Sequence, residues 1–263
     1  MIFYFSSAGN SKWAAETVAA KTGDRLIYIP EAIDRGSYDY VLAPQERLGF
    51  IFPVHGWRPS IIVRRFVRRL VIKGYDPENT YSYMVVTAGD TIGRTAEIFR
   101  KDLLARGIAL SSAFTLLMPE SYLGLPGFNL DTPEKERQKL AKAEKDLNEY
   151  TADILGRRRG VAITVKGPLP WFYSGIIGSI FLHQIITDRK FEVNPDLCIK
   201  CGKCAEICPV HDIDGGPGKA PVWKHNGLCL SCFSCYHHCP KNAISYGRAT
   251  SGKGQYYFGH TSD

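Results

Sequence analysis

The sequence predicts an α/β chain: a doubly wound, parallel five-stranded sheet followed by a small α+β module. Three observations carry that prediction. Short apolar runs alternate with segments of helical periodicity over roughly the first 155 residues. All eight cysteines fall between Cys198 and Cys239. The stretch between these regions, Leu169–Ile186, is apolar and follows neither pattern.

The elements follow in order. IFYF (2–5) is too short for a helix and starts the sheet. SSAGNS (6–11) is a turn-rich loop, and Lys12–Lys21 has helical spacing, with Trp13, Val18 and Ala19 apolar. RLIYI (25–29) is a second strand ended by Pro30, residues 31–47 show no clear element, and LGFIF (48–52) is a third strand ended by Pro53. Ile62–Val71 reads as an amphipathic helix: Val63, Phe66, Val67 and Leu70 share one face, and Arg64, Arg65, Arg68 and Arg69 point outward. YSYMVVTA (81–88) is a buried strand, Ile92–Arg106 a helix closed by Gly107, and residues 108–118 contain the fifth strand. Thr132-Pro133 opens a helix to about Leu155, with proline at its first position.

Strands alternating with helices imply a parallel sheet covered on both faces. Five strands suit the order 2-1-3-4-5, in which ligands sit at the carboxyl ends of the strands. The loops 6–11, 53–60, 87–93 and 119–130 are therefore the candidate site. The expected division is an α/β domain over 1–156, an apolar connector over 157–190, a cysteine module over 191–250 and a tail over 251–263.

Composition narrows the class. Hydrophobic residues make up 44% and the net charge is +7, an ordinary balance for a soluble protein. The start, MIFYFSSAGNSK, lacks the basic region of a signal peptide. Pro170, two glycines, His183 and Gln184 interrupt the apolar connector, which falls short of the roughly 20 residues a spanning helix needs. The expectation is a cytoplasmic protein without a transmembrane segment, peripheral membrane contact through the connector being the lesser alternative. No nucleic-acid motif accompanies the positive charge. A catalytic triad, a zinc-hydrolase motif and a nicotinamide fingerprint are likewise absent from the sequence.

The cysteines carry the most specific signal. Cys198-Ile-Lys-Cys201-Gly-Lys-Cys204-Ala-Glu-Ile-Cys208-Pro209 is followed about 31 residues later by Cys229-Leu-Ser-Cys232-Phe-Ser-Cys235-Tyr-His-His-Cys239-Pro240. Both runs have the C-x2-C-x2-C-x3-C-P spacing of bacterial ferredoxins. Three close cysteines wrap one face of a cubane, and the fourth points to the other cluster. Cys198, Cys201, Cys204 and Cys239 should thus hold one [4Fe–4S] cluster, and Cys229, Cys232, Cys235 and Cys208 the other. Structural zinc is the alternative, but it uses paired C-x2-C units rather than two complete four-cysteine runs. Lys200, Lys203 and Lys241 flank the ligands as ordinary solvated lysines or as charges that raise the potential. His211, His237 and His238 are expected to be surface or packing residues.

The loop Ser6-Ser7-Ala8-Gly9-Asn10-Ser11 lies between a strand and a helix. Backbone N–H groups and hydroxyls at a helix N-terminus bind anions such as a flavin phosphate; a plain capped turn, with Asn10 or Ser11 as cap, is the alternative. FSSAGNSK resembles the FMN-phosphate loop of flavodoxins, Ser/Thr-x-Thr-Gly-Asn-Thr, departing from it at Ala8. By that resemblance the loop Pro53-Val54-His55-Gly56-Trp57 faces the isoalloxazine, Thr87-Ala88-Gly89-Asp90 meets its polar edge, and Tyr122 follows the fifth strand. Trp57 could equally pack in a core, and Gly56 could serve a backbone flip or only a tight turn. Over its full length the chain resembles fusions of a flavodoxin-like domain with a dicluster ferredoxin found in anaerobes. The supporting phrases include Lys190-Phe191 and Pro221-Val222-Trp223-Lys224-His225-Asn226.

The resemblance implies an electron-transfer iron–sulfur flavoprotein, an oxidoreductase in the broad sense, with FMN, two [4Fe–4S] clusters and an external redox partner. The arginine helix could dock an acidic partner or be a solvated face. The rival expectation is a flavin-dependent reductase, with a substrate pocket shaped by Tyr122, Phe128, Tyr256, Tyr257 and Phe258.

Overall fold

The computed structural model describes residues 1–125 and 127–260. Two compact units emerge. One comprises residues 1–6, 10–119 and 133–180; the other comprises residues 7–9, 120–132 and the chain from Phe181 onward.

In the first unit, β1 (Ile2–Tyr4), α1 (Asn10–Thr22), β2 (Leu26–Tyr28), α2 (Ile29–Asp34) and β3 (Asp39–Val41) lead to the long β4 (Leu48–His55). Then come β5 (Arg58–Pro59), α3 (Ile61–Val67), β6 (Val71–Lys73), β7 (Ser82–Ala88), α4 (Thr95–Leu104), β8 (Ser112–Leu117), α5 (Pro133–Leu155) and β9 (Ala162–Ile163). The sheet order is β2-β1-β4-β7-β8-β9, every neighbouring pair parallel. Its first five strands have the flavodoxin-type order 2-1-3-4-5. β4, β7 and β8 are buried almost throughout, as strands covered on both faces must be. Phe3, Phe50, Phe52, Phe66 and Phe99 are fully buried and pack ring against ring, with Phe52 and Phe99 centroids 4.7 Å apart.

Several elements differ from the sequence expectation. The arginine helix stops at Val67, because the β-branched pair Val71-Ile72 goes into β6, which pairs in parallel with β3 in the stretch 31–47 that showed no clear element. Leu70 is buried as expected. Pro30 does not simply end a strand; it opens α2 from its first turn, where the missing N–H costs nothing. β4 does not stop at Pro53 either. It runs on to His55 and turns back as an antiparallel hairpin with β5, pairing His55 with Arg58. Gly56 (φ +57°) and Trp57 (φ +57°) form the tip, both left-handed, as a two-residue type I′ turn requires. The part of the connector up to Ile180 belongs to this unit. It supplies β9 as a sixth strand, then the short helical turns α6 (Pro170–Phe172) and α7 (Gly178–Ile180), separated by the π-turn Tyr173–Ile177.

The second unit opens with the π-turn Phe181–Ile185 and β10 (Phe191–Val193). The first cysteine run then leads through α8 (Lys203–Glu206) to the hairpin β11 (Ile213–Gly216) and β12 (Lys219–Trp223). The second run leads through α9 (Ser234–His237) to β13 (Ile244–Tyr246), which pairs antiparallel with β10. Its core is aromatic. Phe191 stacks on Trp223 with centroids 5.5 Å apart, and Tyr246, Phe233 and Tyr236 complete the cluster.

Candidate functional site

The two cysteine runs repeat in backbone conformation as well as in spacing. Lys200 (φ +55°) corresponds to Ser231 (φ +45°), Gly202 (φ +80°) to Phe233 (φ +60°), and His211 (φ +50°) to Asn242 (φ +49°). Left-handed residues on either side of the second cysteine curl each run around a concavity and turn backbone N–H groups toward sulfur. Three such bonds are formed: Asp212 N–H to Cys208 Sγ at 3.3 Å, Ala243 N–H to Cys239 Sγ at 3.2 Å and Ser231 N–H to Cys229 Sγ at 3.4 Å. At Gly202 a Cβ would lie 2.8 Å from Gly216 Cα, so that turn admits only glycine.

Each concavity is lined by four cysteines, and the sets are crossed. Cys198, Cys201, Cys204 and Cys239 line one cavity, together with Lys200, Lys203 and Lys241. Cys208, Cys229, Cys232 and Cys235 line another, with Asp212 and Trp223. The fourth cysteine of each run therefore closes the other run's cavity. Burial, reinforced by neighbouring sulfurs, raises the thiols of Cys204, Cys229 and Cys235 and pushes Cys232 up to about 11; burial, with the Asp212 charge, raises that of Cys208. Four thiolates in so small a space need a cationic core, and iron supplies one. The donor set and its enclosure thus fit a cluster in each cavity. Among the described residues, no three His, Cys, Asp or Glu side chains converge closely enough to hold a single metal ion.

Of the neighbouring histidines, His237 is fully buried rather than superficial. Its Nε2 donates to the Ser121 carbonyl (2.7 Å) and its Nδ1 accepts the Tyr256 N–H (3.2 Å), while burial lowers it to about 4 and keeps it neutral. His238 stacks on Tyr257 with centroids 4.4 Å apart. Asp188, buried at 4% exposure, accepts from His225 N–H at 2.8 Å. Sequence reasoning had no signal for either buried group, since both partners are remote in the chain.

Residues 6–11 divide between the two units, Ser7–Gly9 belonging to the second. Within the first, the start of α1 is tied to the carboxyl ends of two strands: Ser11 Oγ and Thr87 Oγ1 are 2.7 Å apart, and Asn10 Nδ2 donates to the Pro119 carbonyl at 3.2 Å. Ser6 Oγ is buried with no protein partner. Within the second unit, the Ser7 carbonyl accepts from Ser234 Oγ (2.9 Å) and the Ala8 carbonyl from the Phe258 N–H (2.8 Å). Gly9 has φ +88°, and a Cβ there would meet Phe258 Cβ at 2.9 Å.

The hairpin tip is fixed by the connector. Trp57 packs on Tyr173 (centroids 4.9 Å) and donates from Nε1 to Thr91 Oγ1 at 3.2 Å. Ser174 Oγ donates to the Trp57 carbonyl (2.8 Å), and Gly178 comes so close that a Cβ would lie 2.6 Å from the Gly56 carbonyl oxygen. His55 Nδ1 is buried without a partner, and burial lowers that imidazole to about 4. Lys139 Nζ donates to the Gly89 carbonyl at 2.7 Å, and Asp90 is exposed. Tyr122 lies in the aromatic core of the second unit, edge-on to Phe128, Phe181 and Phe233, with burial raising its phenol. The orphaned Ser6 and His55 atoms of the first unit fit a flavin phosphate and ring; Trp57 is committed to Tyr173 and Thr91.

Two of the four helix arginines are engaged. Arg64 makes a two-pronged contact to Asp102 at 2.6 and 2.8 Å, and Arg69 lies over the Tyr38 ring at 3.8 Å. Arg65 and Arg68 are exposed.

Comparison with known proteins agrees at the cysteines. Residues 191–214 match the family described as 4Fe-4S binding domain. The first cysteine run thus defines a 4Fe–4S-binding segment, on a chain whose larger unit is a doubly wound α/β sheet. No curated protein matches the chain. A similar solved structure is titled rubredoxin oxygen:oxidoreductase (ROO) from the anaerobe Desulfovibrio gigas. It has 16% identity and a TM-score of 0.30, and the match covers 58% of this chain and 36% of that one. Among the described residues no helix is long and apolar enough to cross a membrane.

Proposed function

We propose that this is an electron-transfer iron–sulfur flavoprotein with two [4Fe–4S] clusters and FMN. The observation that carries the reading is the pair of crossed four-cysteine cavities. Cys198, Cys201, Cys204 and Cys239 hold one cluster, and Cys208, Cys229, Cys232 and Cys235 the other. The flavin is held by Ser6–Ser11 at its phosphate and by Pro53–Gly56 and Thr87–Asp90 at its ring. When bound, FMN exchanges electrons singly or in pairs, whereas each cluster passes one at a time. The residues here bind and orient the carriers, and no side chain is assigned a role in breaking bonds. Exposed Arg65 and Arg68 steer an acidic redox partner toward the first unit. Tyr122 and Tyr256, named above for a substrate pocket, are packed inside the second unit, which favours a carrier over a reductase.

Anaerobic purification with iron, sulfide and flavin counts tests the reading. About eight iron, about eight sulfide and about one FMN per chain are expected. Zinc in place of iron, or half the iron, would overturn the dicluster assignment; absence of flavin would overturn only the FMN part.

A further inference from the structure

The cysteine cavities are built alike but joined differently to the rest of the second unit. The residue before the third cysteine is Lys203 in the first run and Ser234 in the second. Lys203 pairs with Glu206 at 3.3 Å on the surface. Ser234, at 2% exposure, touches two groups at once: its Oγ donates to the Ser7 carbonyl at 2.9 Å and lies 3.4 Å from Cys232 Sγ. α9 reaches the same loop a second way. His237 accepts the Tyr256 N–H, and two residues on the Phe258 N–H binds the Ala8 carbonyl.

A serine hydroxyl has one proton to give. As a cluster ligand, Cys232 is a thiolate and has no proton. It then competes with the Ser7 carbonyl for the single proton of Ser234. Donation to sulfur raises the potential of a cluster, and donation to Ser7 fixes the loop.

We infer that Ser234 couples the second cysteine cavity to the Ser7–Gly9 loop, so that filling the loop with FMN shifts the potential of one cluster only. The inference rests on the proposed flavin and cluster reading and adds to it a named coupling residue. By linkage, the charge state of that cluster alters FMN affinity by the same factor that FMN alters the cluster's redox equilibrium. Ser234 is a positioning residue, acting through Cys232 and Ser7. The coupling is selective because the first run has Lys203 in the corresponding place.

The test is an anaerobic redox titration of both clusters, read by EPR, in the full chain with and without FMN. Wild type, Ser234→Ala and Ser234→Thr are compared. Iron counts confirm that each variant holds both clusters, and Cys229→Ala identifies which signal belongs to the second cavity. In wild type, FMN loading should move that signal's midpoint and leave the other in place. Ser234→Ala should move the same midpoint to a more negative value, abolish its response to FMN and weaken FMN about 2- to 10-fold, the worth of one hydrogen bond. Ser234→Thr, which keeps the hydroxyl, should restore the response. An equal FMN response in wild type and Ser234→Ala, or a response of the other cluster, overturns the coupling and leaves the flavin reading standing. A wild type that holds both clusters but takes up no FMN overturns the flavin reading and the coupling with it.

Discussion

At the scale of single residues, Gly9 carries two constraints at once: φ +88° and a Phe258 Cβ where its own side chain would be. Gly9→Val is therefore expected to lower FMN affinity at least tenfold while both clusters remain, since strain and overlap each cost about a kcal/mol or more. Flavin fluorescence titration alongside an iron count checks this, and unchanged affinity would count against the loop. His55 gives a pH prediction. Burial holds its imidazole near 4 against an ordinary 6.5. The unfolded chain takes up a proton between those values that the folded chain refuses, so this group's contribution to stability falls as pH drops from about 6.5 toward 4. Imidazole nitrogen NMR should show His55 neutral and flat from pH 8 down to 5; a midpoint near 6.5 would contradict its burial. The first cysteine run was legible in the sequence as a 4Fe–4S-binding segment because its chemistry is encoded in local spacing. The roles of His237 and Ser234 were not, because Ser121 and Ser7, which they bind, lie 116 and 227 residues away.

At the scale of elements, the connector is the main departure from the sequence reading. Its small residues, Ser174 and Gly178, are buried against the β4–β5 tip, while Trp171 and Ile176 remain 57% and 51% exposed. The π-turns also shift the side-chain phase away from 3.6 residues per turn, so periodicity could not reveal which face would dock. Gly178→Val must displace either the Gly56 carbonyl or the connector. A loss of about 1–3 kcal/mol is expected, seen as a lower thermal midpoint of the α/β unit by circular dichroism. A wild-type midpoint would mean that the close approach at Gly56 does not contribute to stability. The five main strands were legible because each is a short apolar run bounded by turn residues. β3 and β6 escaped because two of the three residues in each are exposed.

At the scale of the whole molecule, the sequence reading captured the doubly wound sheet and its strand order. It did not foresee that Ser7–Gly9 and residues 120–132 pack with the chain from Phe181 onward. That grouping depends on contacts such as Tyr122 with Phe233 and Ala8 with Phe258, which no local pattern announces. The central claim is that the last cysteine of each run serves the cavity of the other. It is tested most directly by EPR of reduced single-cysteine variants. Cys208→Ala should leave the same residual spectrum as Cys229→Ala, and Cys239→Ala the same as Cys198→Ala. A Cys208→Ala spectrum that instead matches Cys198→Ala would place each run around its own cluster and contradict the account.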